Sequence, residues 1–274
     1  MRGPGAVTPD AIVERHARTL SSAAAASYER LGAVNALNTR FAECTSLEHV
    51  RVLVRQACSQ SLVEALVQML VEAERMVAIA VQLLHWLALD AAGRRLIAGC
   101  GALPVLVAMM RAGDDGVREQ GLRLLSVLAE RRELALELNR AGVPSLLCSI
   151  APSGDADAWH WILSIAAGVL CSPTAVRPAQ AKALGGALAA AAERVAAGRL
   201  ALAAADSVLL RRLIGELHVL TTMVQRVSRG ANGGESKAKP RGAGSTEYFR
   251  ALITPVRCRS VNIDTEQHVL PYEL

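Results

Sequence analysis

His85 beside Trp86, and His160 between Trp159 and Trp161, are the residues here whose types most readily support chemistry. An imidazole can hold zinc or move a proton, but a zinc site needs further ligands at a spacing such as H-x-x-x-H. No second histidine or carboxylate stands at that spacing from either residue, so both are expected to be partly exposed helix residues. The six cysteines, Cys44, Cys58, Cys100, Cys148, Cys171 and Cys258, occur singly, without a C-x-x-C. Thiols scattered through apolar helical patterns act as small hydrophobes and fit a reducing compartment better than a disulfide framework. A G-x-S-x-G elbow and a phosphate loop are also missing, and no carboxylates pair on one face beyond the solvated charge that any surface helix carries. A reaction centre has no residues to rest on, so the expectation is a non-enzyme with no metal and no cofactor.

The elements that carry these side chains follow from composition. With 52% hydrophobic and 20% charged residues over 274 positions, the chain has enough apolar surface for a sizeable core. Three Trp, three Tyr and two Phe are few, while Ala, Leu and Val abound, which suits closely stacked helices and predicts an all-α fold. A net charge of +5 is small for this length, and between Arg226 and Arg259 eight basic residues stand against two acids. The rest is nearly neutral, so no nucleic-acid partner is expected. The N-terminus has no apolar leader core, and the Ala-rich stretch after Gly185 is broken by Glu193, Arg194 and Arg199. No membrane span is expected.

Self-comparison exposes a repeat. "ALVQML" (Ala65 to Leu70) recurs as "VLVAMM" (Val105 to Met110) and as "SLLCSI" (Ser145 to Ile150), each 40 residues on. "GALP" (Gly101 to Pro104) and "GVP" (Gly142 to Pro144) precede the second and third copies, a Gly that ends one helix and a Pro that begins the next. The long segments "AVQLLHWLA" (Ala80 to Ala88), "GLRLLSVLA" (Gly121 to Ala129) and "LSIAAGVLC" (Leu163 to Cys171) match at shifts of 41 and 42. In the middle copy Val117, Gly121, Leu125 and Leu128 make one apolar stripe, with Arg118, Glu119 and Arg123 on other faces and Asp114 or Asp115 as the cap. Gly121 predicts close helix packing, because glycine inside a helix costs about 1 kcal/mol against Ala unless contact compensates. Each unit reads as a short helix, a Pro-initiated helix and a long amphipathic helix, stable only when stacked on its neighbours.

"GALPVLVAMMRAGDDGVREQGLRLLSVLAE" (Gly101 to Glu130) resembles an armadillo repeat in nearly every landmark, and the resemblance covers about Leu47 to Cys171. It implies a right-handed α-solenoid, an armadillo-like superhelix of about three repeats with degenerate helical caps and a mostly disordered tail. The division expected is 1–46 as an N-terminal helical cap and 47–171 as the repeats. After these come 172–225 as a degenerate repeat or C-terminal cap, 226–246 as a flexible basic linker and 247–274 as a tail.

The resemblance also implies a binding scaffold whose third helices line a concave groove. In importin alpha and beta-catenin that helix carries a ladder Asn, and importin alpha adds a Trp four residues earlier. Here the Asn position falls on Trp86, Val127 and Val169, and the Trp position on Gln82, Arg123 and Ile165. Without an amide that both donates and accepts, the grip on a peptide backbone is lost, and a more apolar groove is expected. Its predicted lining is Ile79, Gln82, Trp86, Arg123, Val127, Trp161, Ile165 and Val169, with Trp86 and Trp161 as core residues the competing reading. The occupant would be a peptide, an amphipathic helix or the chain's own tail.

"RVSRGANGGESKAKPRGAGST" (Arg226 to Thr246) has the composition of a flexible linker, and "KAKPR" within it reads as solubilising charge, with a nuclear-localisation or acidic-partner patch the alternative. Beyond it Tyr248 to Ile263 regains apolar residues and is expected to dock, on the repeats or on another chain. The terminal "PYEL" has an ending that PDZ domains can take, a motif short enough to arise by chance. The expectation is thus a protein-binding adaptor or scaffold in the cytoplasm, with the nucleus a second location. The alternative is a structural subunit of a larger cytoskeletal or axonemal assembly.

Overall fold

The computed structural model describes residues 10–232 apart from 23, 73–75, 114 and 172–175. The expected tail docking at Tyr248 to Ile263, the "KAKPR" patch, the "PYEL" ending and the cap at Asp114 lie outside the described residues. By its contacts the chain divides into one unit of Met1–Thr221 and a second of Thr222–Leu274.

All regular structure among the described residues is helical. The α-helices are α1 (Ala11–Ser21), α2 (Ser27–Ala42), α3 (Leu47–Ala57), α4 (Gln60–Glu72), α5 (Val77–Ala88), α6 (Ala91–Gly99) and α7 (Ala102–Ala112). They continue as α8 (Asp115–Ala129), α9 (Ala135–Arg140), α10 (Val143–Ile150), α11 (Ala156–Leu170), α12 (Pro178–Ala196) and α13 (Ala204–Asn232). The triplets α3–α4–α5, α6–α7–α8 and α9–α10–α11 are the three-helix units that the spacing predicts, and the third helix is the longest in the last two, whereas α5, at 12 residues, is one shorter than α4. The middle helices form one row with α1 ahead of them and α12 behind, and the long helices form a second row behind α2. α13 runs through Asn232, into the tract that composition gives to the linker.

Local chemistry sets the turns. Gly101 (φ 73) and Gly142 (φ 85) hold the left-handed conformation immediately before α7 and α10, where any residue with a Cβ would be strained. Pro144 then opens α10, where its missing N–H is no loss. Asp10, Asp90 and Asp155 cap α1, α6 and α11 by accepting from backbone N–H groups, as from Ala92 N to Asp90 at 2.9 Å and Ala158 N to Asp155 at 2.8 Å. Two of these caps also join helices, since Arg40 meets Asp10 at 2.8 Å and Arg55 meets Asp90 at 2.9 Å.

The stack is held by the apolar faces of both rows. Leu84, Leu87, Leu124, Leu125, Leu128, Leu163 and Ile165 are all completely buried. Each contributes roughly 1.5–3 kcal/mol relative to exposure, which makes neighbour contact the main source of stability. Gly121 sits as its sequence context predicts, because a Cβ there would lie 2.5 Å from Met110 Sδ on α7. Polar side chains close helix ends inside the stack. The buried Arg94 donates Nη1 to the Ala88 carbonyl at 2.7 Å, at the C-terminal end of α5. Arg194 of α12 donates to the carbonyls of Ala151, Pro152 and Gly154 at 3.4, 3.2 and 3.1 Å, tying α12 to the third triplet.

Candidate functional site

Burial sets the mutual register of the long helices. Val81, Leu83, Leu84, Leu87 and Ala88 of α5 are buried, and so are Leu122, Leu124, Leu125, Leu128 and Ala129 of α8. Leu163, Ile165, Ala166, Val169 and Leu170 of α11 repeat the pattern, so one shift of 41 positions relates all three helices. In that register Ile79, Gln120 and Trp161 form a row of half-buried side chains across three helices, and Gln82, Arg123 and Ser164 form the next row.

Five of the eight residues expected on this face, Ile79, Gln82, Arg123, Val127 and Trp161, are half-buried. The other three belong to the core: Trp86 is 6% exposed, and Ile165 and Val169 are 0% exposed. For Ile165 and Val169 the reason is register. A shift of 42 places them one residue too far along α11, and one residue turns a helix by about 100°, from surface to core. Their counterparts in the buried pattern are Ser164 and Gly168. Trp86 holds the expected register, but its ring packs edge-on against Phe41 of α2 at 6.3 Å. Sequence matching missed Gln120 and Ser164 on this face, and holding the shift of 41 constant would have found both.

The rows mix apolar contact and amides with charged groups that are already paired. Arg123 Nη2 meets Glu119 Oε1 at 2.5 Å, one turn back on α8. At the far end the Asp206 carboxylate of α13 accepts from His160 Nδ1 at 3.1 Å, and His160 stands edge-on to Trp161 at 4.8 Å. His160 is thus partly exposed, as expected, and is engaged by a carboxylate. The Gln82 and Gln120 amides hydrogen-bond no other described residue, so each retains a donor and an acceptor. Two asparagines do hold main-chain carbonyls, but within the stack: Asn38 donates to Ile79 O at 3.0 Å and Asn139 to Val169 O at 3.2 Å.

His85 is half-buried like His160, but one edge of its ring is shut off from water. Its Nδ1 is enclosed there without a partner. Burial, and then the positive charge of Arg123, push its pKa down to about 4, against a smaller opposing effect of a hydrogen bond with the Arg123 backbone. The unfolded chain, titrating near 6.5, binds more protons than the folded chain in the window between, so this site favours folding above pH 6.5. Stability should therefore fall as pH drops from about 6.5 toward 4. His85→Gln should flatten that part of the curve, as urea unfolding midpoints across the window will show.

Among the described residues no group of three or more His, Cys, Asp or Glu is placed to hold a metal ion. None of the single helices there is long and apolar enough to cross a membrane.

No family model and no curated protein matches the chain. Solved structures do. A designed armadillo repeat protein in complex with the peptide (KR)4 aligns with a TM-score of 0.55 at 16% identity, covering 78% of this chain and 90% of that one. The fold is an armadillo-like helical repeat. A computationally designed armadillo repeat protein for modular peptide recognition aligns with a TM-score of 0.52 at 15% identity, over 74% of this chain and 99% of its own. An engineered protein aligns with a TM-score of 0.58 at 18% identity over 75% of this chain, which spans about half of that protein's length, 47%. In armadillo terms α5, α8 and α11 are third helices, and the two rows lie on the third-helix face.

Proposed function

We propose that this chain is a protein-binding scaffold that takes a peptide or an amphipathic helix across the third-helix face, as an adaptor in a reducing compartment such as the cytoplasm. The observation that carries this reading is the pair of rows Ile79–Gln120–Trp161 and Gln82–Arg123–Ser164, which bring half-buried apolar, amide and cationic groups onto consecutive helices. Gln82 and Gln120 can donate to and accept from a peptide main chain. Trp161 offers the kind of aromatic anchor on which binding energy concentrates. The likeness to structures designed for peptide recognition supports the same reading. Charges on this face are paired internally, so the partner expected is one with an apolar stripe and few charges.

A displayed library of random extended and helix-forming peptides, selected against the full chain, tests this. Selected peptides should lose at least about tenfold in affinity with Trp161→Ala, a loss of about 1.4 kcal/mol or more. The melting temperature should move little, because Trp161 is half-buried where Trp159 is fully buried. Peptides that bind Trp161→Ala and Arg123→Ala as well as they bind the parent would place the binding surface elsewhere.

A further inference from the structure

α13 (Ala204–Asn232) carries two apolar faces in the part that lies before Thr222, within the first unit. Leu210, Leu213 and Leu217 recur at i, i+3 and i+7, and they are buried, at 2%, 0% and 1% exposure. The opposite side is apolar as well. Ala204, Val208, Gly215 and Val219 recur at i, i+4, i+11 and i+15, about half a turn away from the leucines, and all four are exposed. Val208 and Val219 are 60% and 51% exposed. A Cβ added at Gly215 would meet nothing within 4 Å, so the middle of this stripe is open.

A surface helix needs one apolar face, so the second calls for cover. The order of residues along the stripe says by what, because it reads nearly the same from either end. Val208 and Val219 stand about 8 Å to either side of the point between Leu213 and Ile214. When a second copy is laid antiparallel about that point, Val208 of each copy falls on Val219 of the other. Arg212 then comes level with Gly215 of the second copy, where no side chain obstructs its stem. Charge matches in the same arrangement. Arg212 and Glu216 lie on one flank of the stripe, half-buried, and meet at 2.8 Å. In the antiparallel pair these flanks adjoin, and Arg212 stands within one residue's rise, about 1.5 Å, of the level of Glu216 of the second copy. Four charges of alternating sign then form one ring. A parallel pairing would instead set this flank against the other one, which carries Arg211 and His218. The contact is self-complementary and closes after two copies.

We propose that two copies of this chain pair through the Ala204–Val219 stripe of α13, antiparallel, with Val208 of each on Val219 of the other. The inference goes beyond the peptide reading and holds whether or not the third-helix face binds one. One helix a side buries less than the roughly 800 Å² of a standard interface, so the dimer is weak and reversible, with a Kd on the order of 0.1 mM. Light scattering on the full chain should therefore show the mass rise from 28.9 kDa toward twice that value between about 0.01 and 1 mM. Val208→Asp should raise the Kd at least about tenfold and leave the melting unchanged, since the side chain it replaces is exposed. Arg212→Glu and Glu216→Arg each bring like charges together across the pair, so each variant should stay monomeric alone. An equimolar mixture of the two should dimerise, because every facing charge is then opposite. A mass of 28.9 kDa at every concentration, a dimer that Val208→Asp leaves intact, or charge variants whose mixture stays monomeric would each overturn the proposal.

Discussion

Trp86→Ala should destabilise the protein by about 3–5 kcal/mol, the range for removing a large aromatic from a packed core. Against a total stability on the order of 5–15 kcal/mol this is a large fraction, and it should lower the melting temperature by roughly 10 °C. The indole is 6% exposed and meets Phe41 edge-on at 6.3 Å, so its loss opens a void between α2 and α5 that the surrounding helices can fill only partly. Its Nε1 is enclosed without a partner, a strain that alanine relieves together with the ring. Trp86→Phe separates the two effects. It keeps an aromatic against Phe41 and removes the unpaired N–H, and its cost should stay below about 1.5 kcal/mol. Thermal and urea unfolding of both variants checks this. A Trp86→Ala protein that melts like the parent but loses a bound peptide would return Trp86 to the binding face.

Repetition made most of the fold legible. The recurring six-residue motif marks the middle helices, the longer motif marks the third helices, and Gly101 and Gly142 announce their left-handed turns. Gly121 could be interpreted because a glycine within a strongly amphipathic helix lowers its propensity, a cost that close packing against a neighbour offsets. The face was less legible because it depends on rotation as well as on helix assignment. Residues "LSIAAGVLC" (Leu163 to Cys171) resemble the third helix at two adjacent registers, since small and apolar residues occupy nearly every position. The similarity favours 42, and only burial selects 41. Contacts between polar side chains and backbone leave still less trace. The Arg194 bonds to three carbonyls and the Asn38 bond to Ile79 join residues about 40 apart, and no local pattern marks them. The length of α13 was hidden for a different reason. Averaged over Arg226 to Thr246 the composition reads as linker, yet Arg226 to Arg229 contain nothing that stops a helix already under way.

Gly168→Ala should damage the stack out of proportion to its size, with a loss of about 3 kcal/mol. In an open helix this change would gain up to about 1 kcal/mol of propensity. Here the added Cβ would stand 2.1 Å from the carbonyl oxygen of Ala129 and 2.7 Å from its carbon. Ala129 is the last residue of α8, so the obstacle is main chain at a helix end and cannot rotate aside. α11 must move off α8, loosening the contact between the second and third triplets. Gly121→Ala is the control, because its Cβ would meet Met110 Sδ at 2.5 Å and Cγ at 2.7 Å. A methionine has several rotatable bonds and can give way, so this variant should remain within about 1 kcal/mol of the parent. In urea, Gly168→Ala should also broaden the transition and lower the apparent m value, because neighbour coupling is what makes a repeat stack unfold as one. Equal stability for the two variants would mean that the third helices do not touch through Gly168, and the register that places Ser164 beside Arg123 would lose its support.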